Sequence, residues 1–147
     1  MITFNQLNEN NYRECMRLPI KNHQQAYTSN GNYISLVKAY IFRDITFPFV
    51  IYNDNIIVGY IQYKEMQQLG NYLLEKIMIA DIYQGKGYAS QSMLKLIEIL
   101  KNENKFNKLR LCVHKENTDA IRLYKKFNFQ ICDEEEEESE IVLGIKW

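Results

Sequence analysis

Hydrophobic residues recur along the chain at two spacings, and the spacing predicts the elements. Residues 2–7 (ITFNQL) suit a first strand, and Asn8 or Asn10 stands where a short helix through Leu18 would be capped. The segment KNHQQAYTSNGNY is polar and turn-rich and leads to Ser35, a candidate N-cap for a helix over 36–43. In FPFVIYNDNIIVGYIQYKE, two β-branched and aromatic runs flank Asn53-Asp54-Asn55, the pattern of a hairpin closed by a tight polar turn. Residues 71–80 (NYLLEKIMIA) are apolar on both faces, so this strand is expected at the centre of a sheet. Ala89, Met93, Leu96, Ile97 and Leu100 mark the buried face of a helix over residues 86–102. A strand at 108–113 (KLRLCV) follows. Asn117 then opens a helix carrying Ala120, Ile121, Tyr124 and Phe127 on one face. The last strands, FQICDE and EIVLGIKW, are expected to pair around an acidic turn. The order β-α-α-β-β-β-α-β-α-β-β, with hairpins at both ends and βαβ crossovers between, predicts an α/β (α+β) fold. Its sheet is mixed, mostly antiparallel and flanked by helices.

Composition narrows the classes. At 147 residues a single domain spanning 1–147 is expected, large enough for a real core. No apolar run approaches the roughly 18–20 residues of a membrane span, and the N-terminal stretch has neither a basic nor an apolar leader region, so a cytoplasmic protein with no membrane partner is expected. Cys15, Cys112 and Cys132 form no close pair and no metal spacing, which predicts reduced thiols and no metal. A net charge of zero argues against a protein that coats nucleic acid. The charge is nonetheless uneven: residues 133–140 read DEEEEESE, either a solvated hairpin or an electrostatic lure for a cationic ligand.

The chemistry concentrates in YQGKGYAS (83–90), a glycine-rich turn between a strand and a helix. The first N–H groups of a helix lack internal partners and carry the positive end of its dipole, so such a turn is suited to an anion. Glycine permits close backbone approach, and Lys86 could add a charged contact. A dinucleotide fingerprint would need glycine where Ser90 stands, and the P-loop spacing is absent. By itself the turn fits either an anion site or a packing turn.

The wider pattern is sharper. Gln84-x-x-Gly87-x-Ala89, the strand EKIMIADIY before it, the amphipathic helix after it and ENTDAIRLYKKFNF at 116–129 resemble the GNAT family of N-acetyltransferases over essentially the whole chain. That resemblance implies the acyl-CoA N-acyltransferase fold and acetyl-CoA as cosubstrate. It implies that Gln84, Gly85, Lys86, Gly87, Tyr88, Ala89 and Ser90 hold the coenzyme's pyrophosphate. The strand Ile77-Met78-Ile79 would pair with the pantetheine arm, two central strands would splay there, and a backbone N–H, that of Met78, would face the thioester oxygen. Asn117 matches the family's asparagine on the coenzyme arm, a role compatible with a plain helix cap. Tyr124 matches the tyrosine near the coenzyme sulfur, where it could protonate a thiolate; a core aromatic is the alternative. The family usually has glycine where Asn128 stands, and asparagine is the next most tolerant residue for a left-handed helix end.

The implied reaction is direct attack of a primary amine on acetyl-CoA. An alkylammonium is only about 0.1% neutral near physiological pH, so a proton acceptor is needed. Glu75 is the leading candidate, directly or through water, or else a rim carboxylate that attracts the ammonium. His23 and His114 are weaker candidates, and Cys112 reads as an inert strand residue rather than an acyl carrier. The segment 18–40 is similar to bacterial spermine/spermidine (diamine) acetyltransferases at Gln24, Tyr27, Ser35, Leu36 and Ala39. This implies a polyamine substrate touching Gln24, Tyr27 and Glu75, and a polycation suits a site near Glu75, Glu65 and an acidic segment. An aminoglycoside, a peptide N-terminus or a non-catalytic acetyl-CoA-binding module remain as alternatives. Homodimers are common among such enzymes.

Overall fold

A computed structural model describes residues 1–28, 31–133 and 139–147. The strands are β1 (Ile2–Asn5), β2 (Thr46–Asn53), β3 (Ile56–Met66), β4 (Asn71–Ile79), β5 (Lys108–His114), β6 (Gln130–Asp133) and β7 (Glu140–Lys146). The helices are α1 (Tyr12–Met16), α2 (Tyr33–Ile41), α3 (Tyr88–Glu103) and α4 (Thr118–Lys126). The sheet runs β1-β2-β3-β4-β5-β7-β6, with β4 and β5 parallel and every other neighbour antiparallel. β4 is the middle strand, as its two apolar faces require.

Two cores follow from the pleat. On one face Ile61, Tyr63, Tyr72, Leu74, Leu109 and Leu111 pack under α3 residues Met93, Leu96 and Leu100, with Tyr124 and Phe129. On the other, Val50, Ile57, Tyr60 and Met78 pack with Cys15 and Met16 of α1. The β2–β3 hairpin closes at Asp54-Asn55, with Asp54 at φ 54°. Asn128 ends α4 in the left-handed region at φ 64°, the conformation expected for a residue standing in for glycine.

Several boundaries differ from the sequence reading. Ser35 lies inside α2, whose N-cap position is Asn32, because the buried Asn32 amide is tied to the Cys15 carbonyl at 2.8 Å and sets the helix start. α3 begins at Tyr88 rather than Lys86, because Gly85 and Gly87 are left-handed, at φ 77° and 82°. The polar segment after Ile20 contains a short 3-10 helix, Asn22–Ala26. Residues 134–138, most of the expected acidic turn, lie outside the described residues.

Two irregularities shape the centre of the sheet. β4 and β5 pair only at Tyr72–Leu109, Leu73–Arg110 and Leu74–Leu111, although β4 continues to Ile79 and β5 to His114. The strands therefore part for about five residues of β4, roughly 15 Å. On the other side of β4 the register slips between Gln62 and Tyr63, leaving Glu75 as an extra residue opposite β3.

Candidate active site

The parted strands open a cleft of about 390 Å³. Ile77, Met78 and Ile79 form one wall, Asn117, Ala120 and Leu123 of the α4 region the other, and the turn 84–90 closes one end. Ile20, Lys21, Gln24 and Thr28 lie along its rim.

The ladder determines which backbone groups face the opening. The N–H of Ala80 bonds the carbonyl of Val58 at 2.9 Å, so alternation turns the N–H of Met78 toward Tyr60 on β3. The groups of Ile77 and Ile79 turn instead toward the gap left by β5. Here the sequence expectation is corrected. Met78 is among the residues lining the cleft, but its side chain packs in the second core with its sulfur 3.7 Å from Asn32 Nδ2, and a thioester oxygen in the gap would meet the N–H of Ile77 or Ile79. The Ile79 carbonyl already accepts from Gln84 Nε2 at 2.8 Å.

The glycine turn supplies the clearest feature. Among the described residues, no acceptor meets the backbone N–H groups of Gly85, Lys86, Gly87, Tyr88, Ala89 or Ser90; the first bonded N–H is that of Gln91, on the Gly87 carbonyl at 3.1 Å. A Cβ at Gly85 would meet nothing within 4 Å, and one at Gly87 only the Gln91 amide at 3.8 Å. Close packing therefore does not explain these glycines. Their positive φ explains them, and six consecutive N–H donors are left without an acceptor at the positive end of a 16-residue helix.

Side chains lock this frame. Gln84 and Gln24 exchange two amide hydrogen bonds of 2.9 Å, which tie the turn to the 3-10 helix. From the same segment Tyr27 donates to the Glu116 carbonyl at 3.3 Å, and its ring lies 5.0 Å from His114. Residues 24–27 thus strap the cleft from the β4 side to the β5 side. The Asn117 side chain accepts from the N–H of Ala120 at 3.4 Å, so it caps α4 while lining the cleft. The Tyr88 hydroxyl accepts from Asn53 Nδ2 at 3.0 Å, anchoring the start of α3 to the sheet.

Four candidates lie off the cleft wall. Lys86 is exposed, with its ammonium 5.6 Å from the Tyr83 ring. Tyr27 belongs to the strap just described. Tyr124 is 8% exposed, its ring 5.6 Å from Phe129, and burial alone pushes its hydroxyl up to about 12. Glu75 faces Lys64 at 3.4 Å and accepts from Gln62 Nε2 at 3.3 Å. The bulge accounts for this, since it puts Glu75 on the same face as Gln62 and Lys64. Gln62 in turn accepts from the buried Tyr60 hydroxyl.

The remaining groups are engaged elsewhere. Glu65 pairs with Lys105 at 2.6 Å. His23 lies 3.7 Å from Asp119, and Cys112 is exposed on β5 rather than buried. Among the described residues no group of His, Cys, Asp and Glu could hold a metal ion, and no helix is long and apolar enough to cross a membrane.

Lys21, Thr28, Asp119 and Leu123 line the cleft without having been expected there. Asp119, Ala120 and Leu123 share one face of α4, since Leu123 falls four residues after Asp119 and three after Ala120, and helical spacing could have grouped them. Nothing in the local sequence points to Lys21 or Thr28.

Comparisons with known proteins bear on this geometry. The spermine/spermidine N(1)-acetyltransferase of Bacillus subtilis (strain 168) is 32% identical over 89 residues. That alignment takes in 56% of this chain and 59% of the relative, so the match spans less than two thirds of the curated protein's length. The Vibrio cholerae spermidine N-acetyltransferase, solved in complex with CoA and spermine, superposes with a TM-score of 0.79 at 20% identity, covering 99% of this chain and 95% of that one. The aminoglycoside acetyltransferase AAC(6')-Ib, solved with coenzyme A and kanamycin, gives 0.80 at 16% identity, covering 99% and 95%. At these identities both structures speak to the fold. The profile of the Acetyltransferase (GNAT) family matches residues 10–129, most of the sequence, and the chain belongs to that family.

Proposed function

We propose that this chain is a single-domain N-acetyltransferase that moves an acetyl group from acetyl-CoA to a primary amine, with a polyamine such as spermidine or spermine as the favoured acceptor. The observation that carries this reading is the row of six unengaged N–H groups at Gly85–Ser90, in the turn at the end of a cleft between parted strands. A pyrophosphate supplies the acceptor oxygens such a row lacks. The residues fit the coenzyme. Gly85 to Ser90, led by Gln84, would hold the pyrophosphate. The open backbone edges of Ile77 and Ile79 would take the pantetheine arm as an added strand, with Asn117 across the gap. The N–H groups on that edge would stabilise the oxyanion formed as the amine attacks.

The amine must lose a proton, and Glu75 would receive it directly or through water. Its pairing with Lys64 is compatible with this role if the cationic substrate displaces Lys64 from the carboxylate. Gln24 and Tyr27, in the strap over the cleft, would contact the acceptor. The polyamine preference is supported by the B. subtilis relative and by the Gln24, Tyr27, Ser35, Leu36 and Ala39 pattern. A cytoplasmic location is part of the same reading.

Two observations favour a second reading, an acetyl-CoA-binding module without turnover: Glu75 is tied to Lys64, and Tyr124 lies off the cleft wall. A CoA-release assay over polyamines, aminoglycosides and peptides decides between them. Release with spermidine or spermine is the expected result. Release only with another amine class would move the acceptor assignment. Calorimetric binding of acetyl-CoA without release on any amine would establish the module.

A further inference from the structure

Beyond the narrow end of the cleft, the sheet already holds an ammonium ion of its own. β4 leaves β5 after Leu74, so Glu75 is its first residue past the last paired position. A coenzyme held by the turn at 84–90 would run along β4 from Ile79 toward Ile77, and its acetyl end would face the Glu75 end of the gap. Two residues of strand, roughly 7 Å, separate Glu75 from Ile77. At Glu75 the Lys64 ammonium lies 3.4 Å from Oε2 and 4.2 Å from the centroid of the Phe42 ring. Phe42 is the C-cap of α2, at the negative end of that helix.

This surrounding is built for a cation. Gln62 Nε2 donates to Glu75 Oε1 at 3.3 Å, and Gln62 Oε1 accepts from the buried Tyr60 hydroxyl, so the carboxylate is held with Oε2 turned to the ammonium. A carboxylate oxygen and an aromatic face are the two groups that recognise an alkylammonium most directly. The Lys64 and Glu75 side chains are only 14% and 15% exposed, whereas Phe42 is 48% exposed and can be reached from solvent. A covered ion pair returns little net stability, because desolvation offsets the attraction. Lysine is itself a primary ammonium on a flexible methylene stem, the chemical form of one end of a polyamine. It lies two residues before the end of β3, so its stem can swing away while the strand pairing stays.

We propose that Phe42 and Glu75 form the seat for the acceptor's ammonium, and that Lys64 fills this seat in the free protein as a tethered competitor. The inference deepens the acetyltransferase reading and rests on it. Exchange of one ammonium for another leaves the carboxylate paired throughout. Lys64 therefore sets how strongly an acceptor must bind to enter, and Phe42 favours cationic acceptors over neutral ones.

Calorimetric titration of spermidine into the full chain saturated with CoA tests the seat without turnover. A competitor that holds a site about nine-tenths of the time or more weakens apparent affinity by about tenfold or more. Lys64→Gln should therefore tighten spermidine by about that factor and leave CoA affinity unchanged. Lys64→Met, which keeps an unbranched side chain, should do the same and serves if the first variant does not fold. Phe42→Leu in the Lys64→Gln background should weaken spermidine by about three- to thirtyfold. In the unmodified background the ring serves both competing cations, so its loss should matter less, a non-additivity that a purely structural role does not produce.

Unchanged or weaker spermidine binding in the Lys64 variants would overturn the proposal, as would absence of spermidine binding in every protein. A parallel loss of CoA affinity, or an equal effect of Phe42→Leu in both backgrounds, would make the pair part of the frame and overturn it too. The CoA-release assay fails separately. A chain that releases CoA on no amine, yet binds spermidine more tightly without Lys64, keeps the seat and loses the acetyltransferase reading. Release with spermidine at unaltered affinity in the Lys64 variants does the reverse.

Discussion

Tyr124→Phe separates the catalytic reading of this tyrosine from the structural one. Among the described residues its hydroxyl has no hydrogen-bond partner, and burial raises it from 10.0 to about 12. Removing an unpartnered hydroxyl takes no bond from the fold, so stability should change by less than about 1 kcal/mol. The raised value also limits what the hydroxyl can do. Moving its proton fully to a thiolate near ~8.5 would be uphill by about 3.5 pH units, close to 5 kcal/mol. Its expected contribution is therefore a hydrogen bond to the sulfur as charge develops. Such a bond to a charged group is worth about 1.5–3 kcal/mol, so kcat should fall between about tenfold and about 150-fold. Stopped-flow CoA release should show this fall while calorimetric acetyl-CoA affinity stays within a few-fold. The unmodified enzyme should also show no alkaline loss from this group near pH 10, where an ordinary tyrosine would ionise. Unchanged kcat in the variant would place Tyr124 in the core only. A parallel loss of coenzyme affinity would show that it shapes the cleft instead.

Gly87→Val puts a β-branched residue at φ 82°, costing about 1–2 kcal/mol locally and standing in front of the N–H row; acetyl-CoA affinity should drop, and normal binding by a folded variant would refute the anion site. Glu75→Gln should lower kcat/KM by about 100-fold or more near neutral pH and recover as rising pH deprotonates the amine; an unchanged pH profile would assign proton removal to solvent. Lys76 is buried, donates to the Gly31 carbonyl at 2.8 Å, and burial lowers its amine from 10.5 to about 8. A lowered value means the stability it permits is present above about 10.5 and is lost as pH falls through about 8. Lys76→Met should therefore be more stable than the unmodified protein at pH 7, by roughly 1–3 kcal/mol, and should gain less between pH 8 and 10. Urea unfolding at both ends of that range checks it, and equal slopes would show that the ammonium is solvated in the fold.

The sequence by itself determined the order of elements, the central place of β4 and the glycine turn, because these depend on local spacing. Alternation and helical periodicity are written residue by residue, and Gly85 and Gly87 announce a backbone that other residues adopt at a cost. Asn117 was legible for the same reason, as a cap just ahead of a periodic run. Tertiary structure decided the rest. Whether the N–H of Ile77 or of Met78 faces the gap depends on ladder phase with β3, and a one-residue change of register reverses it. The slip beside Gln62 turned Glu75 toward Lys64, and no local pattern announces a bulge made by two strands together. The Gln24–Gln84 clasp joins residues sixty apart, and Lys108 meets Lys146 only because β5 and β7 are neighbours. Local spacing sets what each segment becomes; pairing between distant segments sets which of its groups are left to act.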